Sequence, residues 1–245
     1  MLRTRVVALV ALLAGALVFA MPPPVEAGFV LKFSEAGFAD LLVRDNQTGD
    51  DDPAAGSIRY LNNYGSFTID IVVGKSNSGN VGDVARLEIG ALNITNTANA
   101  ERTLTISLSD TGYTFPGGVG SPLILFSTAA GTISNRGGTV TFQSFADASN
   151  VEFGLGFGTD QLVFVNPPRS TATPFSGQTS RGGFTASGAF SLTNITTITL
   201  PAGGDLNSFS GKTELIIPAP GGLVLLLSGV PLIGLCWLRR RRQPA

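Results

Sequence analysis

Apolar and polar residues alternate with a period of two along much of this chain. Phe67, Ile69, Ile71 and Val73 alternate with Thr68, Asp70 and Val72, the pattern of a strand with one buried face. Leu104, Ile106 and Leu108 alternate with Thr105, Ser107 and Ser109, so these three are expected to face a core. Over 86–95 the parity switches: Leu87 and Ile89 share one phase, Leu92 and Ile94 the other, with Gly90 between them. One extra residue in a strand produces such a switch, so a β-bulge is expected at Gly90. Shorter strands are expected over 140–145, 162–165, 184–192, 195–200 and 213–217. The continuous apolar run 123–126 reads as a strand buried on both faces. Helical spacing is found only over 34–43, where Phe38, Leu41 and Leu42 would form one short amphipathic face.

Gly-, Asn- and Ser-rich clusters punctuate these segments: 76–80, 116–118, 135–138, 181–183 and 203–205. Short strands joined by such turns imply an all-β fold, a single antiparallel β-sandwich or jelly-roll-like domain over 28–217. Paired prolines at Pro167 and Pro168 exclude a central strand there, and 166–177 is the expected long loop. No fixed repeat period emerges, which argues against a solenoid.

Both ends are apolar. Arg3 and Arg5 precede an uninterrupted apolar run over 6–20, then Pro22 to Pro24 and the small-residue site ending at Ala27. This order is that of a signal peptide over 1–27, cut by signal peptidase after Ala27. The tail over 218–245 has its own order: Pro218, Ala219, Pro220, two glycines, the apolar stretch 223–238, then Arg239, Arg240, Arg241 and Arg242. That stretch makes a short transmembrane helix of about 25 Å. The arginines are expected to stay in the cytoplasm, which leaves the body outside. The signal peptide requires the same topology.

This proline motif, apolar span and arginine cluster resembles the PEP-CTERM sorting signal of Gram-negative bacteria. Pro218 and Pro220 fall on the two motif prolines and Arg239 to Arg242 on the basic terminus, while Ala219 replaces the namesake glutamate, making a variant tail. The resemblance implies processing by an exosortase-like membrane protease and an association with exopolysaccharide and biofilm. The body is similar to a Gly/Asn/Ser/Thr-rich domain found in that group, on the segments 45–50 and 104–113, and this likeness implies no activity.

Charge and composition narrow the chemistry. Residues 28–217 hold 16 Asp and Glu against 10 Lys and Arg, although the whole chain carries only −1. An acidic body argues against nucleic acid as a partner. No histidine is present, which removes the commonest general base and metal ligand. The single cysteine, Cys236, lies in the tail, so no intramolecular disulfide can form.

Four candidate constellations remain. Asp45, Asn46, Asp50, Asp51 and Asp52 carry oxygen ligands suited to Ca²⁺, but adjacent aspartates do not match an EF-hand spacing and read better as a solvated loop. Thr-x-Thr pairs occur at Thr103/Thr105, Thr139/Thr141, Thr171/Thr173 and Thr197/Thr199, each projecting two hydroxyls from one strand face. Some ice-binding proteins use such arrays, yet the intervals here are irregular, 36, 32 and 26 residues. Tyr60 and Tyr64 flank Asn62 and Asn63 and are candidates for a sugar-stacking patch, since Trp237 sits in the tail and Tyr113 stands apart. Their alternative is a strand-end pair with wet hydroxyls. Asp147, Glu152 and Asp160 are the carboxylates from which a glycosidase dyad would be drawn, with nothing in their flanks to single them out. Asn-x-Thr triplets at Asn46, Asn93 and Asn194 read as chance in an Asn/Thr-rich chain.

The expectation is therefore an exported, non-enzymatic surface or extracellular-matrix protein, with no catalytic, cofactor or metal residue assigned. Its alternatives are a carbohydrate-binding module and, further off, an ice-binding surface protein or a hydrolase.

Overall fold

Among the described residues the alternation resolves into thirteen strands in two antiparallel sheets. The computed structural model describes residues 28–78, 82, 84–115, 122–168 and 171–218. The signal segment 1–27 and the sorting tail beyond Pro218, including Ala219, Pro220, the span 223–238 and the four arginines, lie outside the described residues. The strands are β1 (Val30–Glu35), β2 (Leu41–Arg44), β3 (Ser57–Tyr64), β4 (Phe67–Ser76), β5 (Val84–Asn96), β6 (Arg102–Tyr113) and β7 (Leu123–Ile133). They continue as β8 (Gly138–Asp147), β9 (Phe157–Gly158), β10 (Leu162–Asn166), β11 (Thr173–Phe184), β12 (Phe190–Leu200) and β13 (Asp205–Ile216).

Sheet A has the order β10-β8-β12-β6-β1-β2, with β9 also paired to β8; sheet B has the order β11-β7-β13-β5-β4-β3. Facing strands are chain neighbours: β10 meets β11, β8 meets β7, β12 meets β13 and β6 meets β5. The chain therefore winds from one layer to the other and back, which makes a jelly-roll-like β-sandwich.

The inward parity is the one the sequence dictates. Leu104, Ile106 and Leu108 are fully buried, as are Phe33, Leu87, Ile89, Phe142 and Phe209. Aromatic rings run through one end of the interior. Phe142 meets Phe209 edge-on at 6.1 Å, Phe209 meets Phe175 at 6.4 Å, and Phe175 stacks on Phe164 at 4.3 Å. Gly211 exists because of this cluster: a Cβ there would lie 2.4 Å from Phe142 Cε2.

Several expectations need correction. Residues 34–43 form no helix; they are the end of β1, a turn at Gly37 (φ +91°) and the start of β2. The apolar spacing came from Phe38 in the connection and Leu41 and Leu42 on β2. The run 123–126 is not buried on both faces: Leu123 and Leu125 are buried, while Ile124 and Phe126 lie half-buried on the outer face of β7. The strands expected over 184–192 and 195–200 divide differently: β11 ends at Phe184, and β12 runs from Phe190 to Leu200 without a break. The long loop is shorter than expected, because β10 reaches Asn166 and β11 starts at Thr173. The bulge stands. The ladder slips around Gly90, and the left-handed residue is its neighbour Ala91 (φ +52°).

Candidate functional site

A groove of about 560 Å³ crosses the outer face of sheet B. Its hollow comes from one cross-strand row of short outward side chains, Ser176 on β11, Ala130 on β7 and Ser210 on β13, while Ala129, Gly177 and Gly211 beside them face the interior. Longer polar side chains stand around it in cross-strand rows. Gln178 pairs with Thr128, Thr128 with Lys212, Lys212 with Glu88, and Glu88 with Lys75. The next row runs Ser180, Phe126, Glu214 and Arg86. Outward orientation follows from the flanks, since Ser127, Thr213, Leu87 and Ile89 at alternate positions are fully buried.

Charge on this face is held in place. Arg86 binds Glu214 Oε1 at 2.8–2.9 Å, and Lys212 Nζ lies 3.2 Å from Glu214 Oε2. Such half-exposed pairs add little stability, but they fix the direction in which Lys212 and Arg86 present N–H groups. The groove thus offers amide, hydroxyl, ammonium and carboxylate groups in fixed rows beside a floor of small side chains. Those groups can both donate and accept hydrogen bonds.

The tyrosine patch does not form. Tyr60 and Tyr64 turn inward, 6% and 7% exposed, and their rings pack on Phe33 at 4.9 and 5.7 Å. Their hydroxyls donate to the carbonyls of Asn63 and Ala39, and burial raises both phenol pKa values. This is neither a stacking platform nor a strand-end pair with wet hydroxyls, since Tyr60 lies in the middle of β3 and both hydroxyls are taken by backbone carbonyls.

The aspartate loop spends its carboxylates on its own backbone. Asp50 accepts from the N–H groups of Asn46, Asp52 and Arg59, all at 2.9 Å. Asp45 accepts from Gly56 N–H at 2.8 Å, and Asp52 from Ala54 N–H and the Ser57 hydroxyl. Burial lifts the Asp45 carboxyl above its usual range, while the Ser57 hydroxyl lowers Asp52. Among the described residues no group of three His, Cys, Asp or Glu side chains is placed to hold a metal ion.

Asp147, Glu152 and Asp160 have separate surroundings. Asp147 accepts from the N–H groups of Ser149 and Gly156 and so organises the turn after β8. Glu152 makes a two-pronged ion pair with Arg44, which raises the Arg44 pKa through that hydrogen bond. Asp160 is exposed. Of the Asn-x-Thr triplets, Asn194 is fully buried inside the sandwich, Asn93 is half-buried and Asn46 exposed.

No protein-family model matches this sequence, and no curated protein matches it either. Among solved structures, one similar chain is the carbohydrate-binding module TmCBM61, described in complex with β-1,4-galactotriose. It is 9% identical, with a TM-score of 0.29, over 68% of this chain and 92% of that one. Another is the enzymatically active domain of bacteriophage CBA120 tailspike protein 4, also 9% identical. It has a TM-score of 0.27 over 61% of this chain and 19% of that one. At these scores neither likeness bears on what this chain binds.

The groove escaped the sequence reading because alanines, glycines and serines carry no chemical signature of their own. Its one legible sign was the small-residue run Ser127 to Gly131 in the middle of an apolar strand.

Proposed function

We propose that this chain is an exported, non-enzymatic surface or extracellular-matrix protein that meets exopolysaccharide through the groove on sheet B. The observation that carries the reading is the row Gln178, Thr128, Lys212 and Glu88 beside a floor of small side chains. Each hydrogen bond to a sugar hydroxyl contributes about 1 kcal/mol net, so a face without a tyrosine platform binds a chain of sugars weakly at many points. Weak multivalent contact suits a protein held in a polymer matrix. The test is affinity electrophoresis of the full chain through gels with and without the host's exopolysaccharide. The wild-type chain should be retarded, and the double variant Lys212→Ala, Gln178→Ala should migrate freely with an unchanged melting temperature. Equal wild-type mobility in both gels would remove the groove from consideration.

Delivery belongs to the same proposal. The tail, with Pro218, Ala219, Pro220 and Arg239 to Arg242, is read as a variant sorting signal that an exosortase-like protease processes. Prolines hold the chain extended outside the membrane, where a protease can reach it, and the arginines stop transfer. In the native host the C-terminal fragment should be shorter than in a host lacking exosortase. Replacing all four arginines by serine should abolish the difference. An uncut chain of one size in both hosts would leave the tail as a plain anchor.

A further inference from the structure

Three of the Thr-x-Thr pairs, Thr103/Thr105, Thr139/Thr141 and Thr197/Thr199, come together although the sequence scatters them. Thr197 and Thr199 on β12 stand between Thr105 and Thr103 on β6 and Thr141 and Thr139 on β8, pair against pair. Residues between them, Leu104, Val140 and Ile198, are fully buried, so all six threonines point out of sheet A. The result is a lattice of two rows by three strands, spaced about 4.8 Å across strands and about 6.7 Å along them. Val163 and Val165 on β10 continue the rows on one side, 57% and 63% exposed. Ser34 on β1 continues one row on the other. The pair Thr171/Thr173, before and at the start of β11, takes no part, nor does Thr95/Thr97 at the end of β5.

Neither row contains an ionisable or aromatic side chain. Thr103 and Thr199 share a hydrogen bond at 2.9 Å between hydroxyls, and the other four hydroxyls make no hydrogen bond within the described residues. β-Branching leaves each side chain few χ1 choices, so the hydroxyls and methyls hold their places. Further along the same face the polar groups are covered. Phe153 N–H donates to Ser109 Oγ at 2.9 Å, and Lys32 Nζ lies 4.7 Å over the Phe153 ring. The array is thus the part of the face left open, and three strands is about as wide as it can stay near flat at about 20–25° of twist per strand.

We propose that this face binds the surface of ice. A saccharide is recognised by rings that stack on it and by amides or charges that aim at its hydroxyls, and the two rows have neither. A rigid lattice of alternating hydroxyls and methyls suits an ordered layer of water. Each hydroxyl donates one hydrogen bond and accepts two, while the methyls border water they cannot bond. Pre-organisation of the lattice removes most of the ordering cost on contact. This site is separate from the groove on sheet B.

The test follows the coarsening of ice grains in a frozen sucrose film, using the full chain in mild detergent and the detergent alone as blank. The wild-type chain should keep grains small. Thr197→Lys, at the centre of the lattice, should let them grow as in the blank without lowering the melting temperature. The groove variant Lys212→Ala, Gln178→Ala should protect as well as wild type, which separates the two faces. If Thr197→Lys melts early, Thr103→Lys at the exposed rim replaces it, with the same loss expected. The proposal is overturned if wild-type grains coarsen like the blank, or if the lysine variant protects fully. It is equally overturned if the chain adsorbs to crystalline polysaccharide but leaves ice untouched.

Discussion

Replacing Ile106 by aspartate should cost about 4 kcal/mol or more and leave the domain unfolded or close to it at room temperature. Ile106 sits in the middle of β6, with no exposed surface, between Phe33 on β1 and Thr196 on β12. Removing its side chain alone forfeits about 2–5 kcal/mol of transfer and cavity energy. A carboxylate in its place must also ionise in the interior or take up a proton, and no cationic side chain is paired with that position on either neighbouring strand. Whole-domain stabilities are about 5–15 kcal/mol, so the loss is a large fraction of the total. Thr103→Asp, three positions earlier and on the outer face, should shift stability by about 0.5 kcal/mol at most. Thermal melts of the two variants beside wild type measure the contrast. If Ile106→Asp melts like wild type, the strand parity assigned to β6 is wrong.

That parity was legible because the period of two leaves little freedom. A slip of one residue would send Thr103, Thr105 and Ser107 inward and Leu104, Ile106 and Leu108 into water. The bulge at Gly90 was legible for the same reason, since the apolar phase has to switch somewhere. What sequence spacing does not contain is which strands become neighbours. The 36 residues from Thr103 to Thr139 measure the path out through sheet B and back, not the distance between two threonines two strands apart. An irregular interval therefore said nothing against a regular lattice. The tyrosines show the converse limit. Asn62 and Asn63 beside Tyr60 and Tyr64 look like a polar patch in the sequence, but Tyr60 and Tyr64 share the strand parity of Ile58, which on β3 is the core-facing one. Both rings end on the inner side. The false helix over 34–43 came from joining Phe38, in the connection after β1, to Leu41 and Leu42 on β2, which fell by accident at helical spacing.

Stability of the domain should fall as pH rises from about 4 to about 6, through Asp110. This carboxyl is 1% exposed at the end of β6. Burial pushes its pKa from 3.8 to about 6, against hydrogen bonds from the Ser76 and Ser78 side chains and the Thr111 N–H, with Asp45 pushing the same way as burial. The direction is set by proton binding. The folded chain holds a proton on Asp110 at pH 5 that the unfolded chain has released, so the folded state gains from acid. The gain is complete below the unfolded value and is lost as pH passes the folded one. A shift of this size corresponds to about 3 kcal/mol. Asp110→Asn removes the ionisation and keeps the shape. Its carbonyl oxygen can accept from Thr111 N–H, which lies 2.7 Å from Oδ1. Its amide can donate to Ser78 Oγ, now 2.6 Å from Oδ2, once that hydroxyl turns its own hydrogen away. Tyr113 beside it has partners of its own, donating to the Arg86 carbonyl at 3.0 Å and meeting Ser76 Oγ at 2.6 Å. Urea unfolding of both chains at pH 4, 5, 6 and 7 gives the comparison. The asparagine variant should match wild type or fall below it at pH 4 and gain on it steadily, by about 3 kcal/mol over the series. Parallel curves would mean that Asp110 ionises as freely in the folded chain as in the unfolded one, and that the serine and backbone hydrogen bonds fully offset its burial.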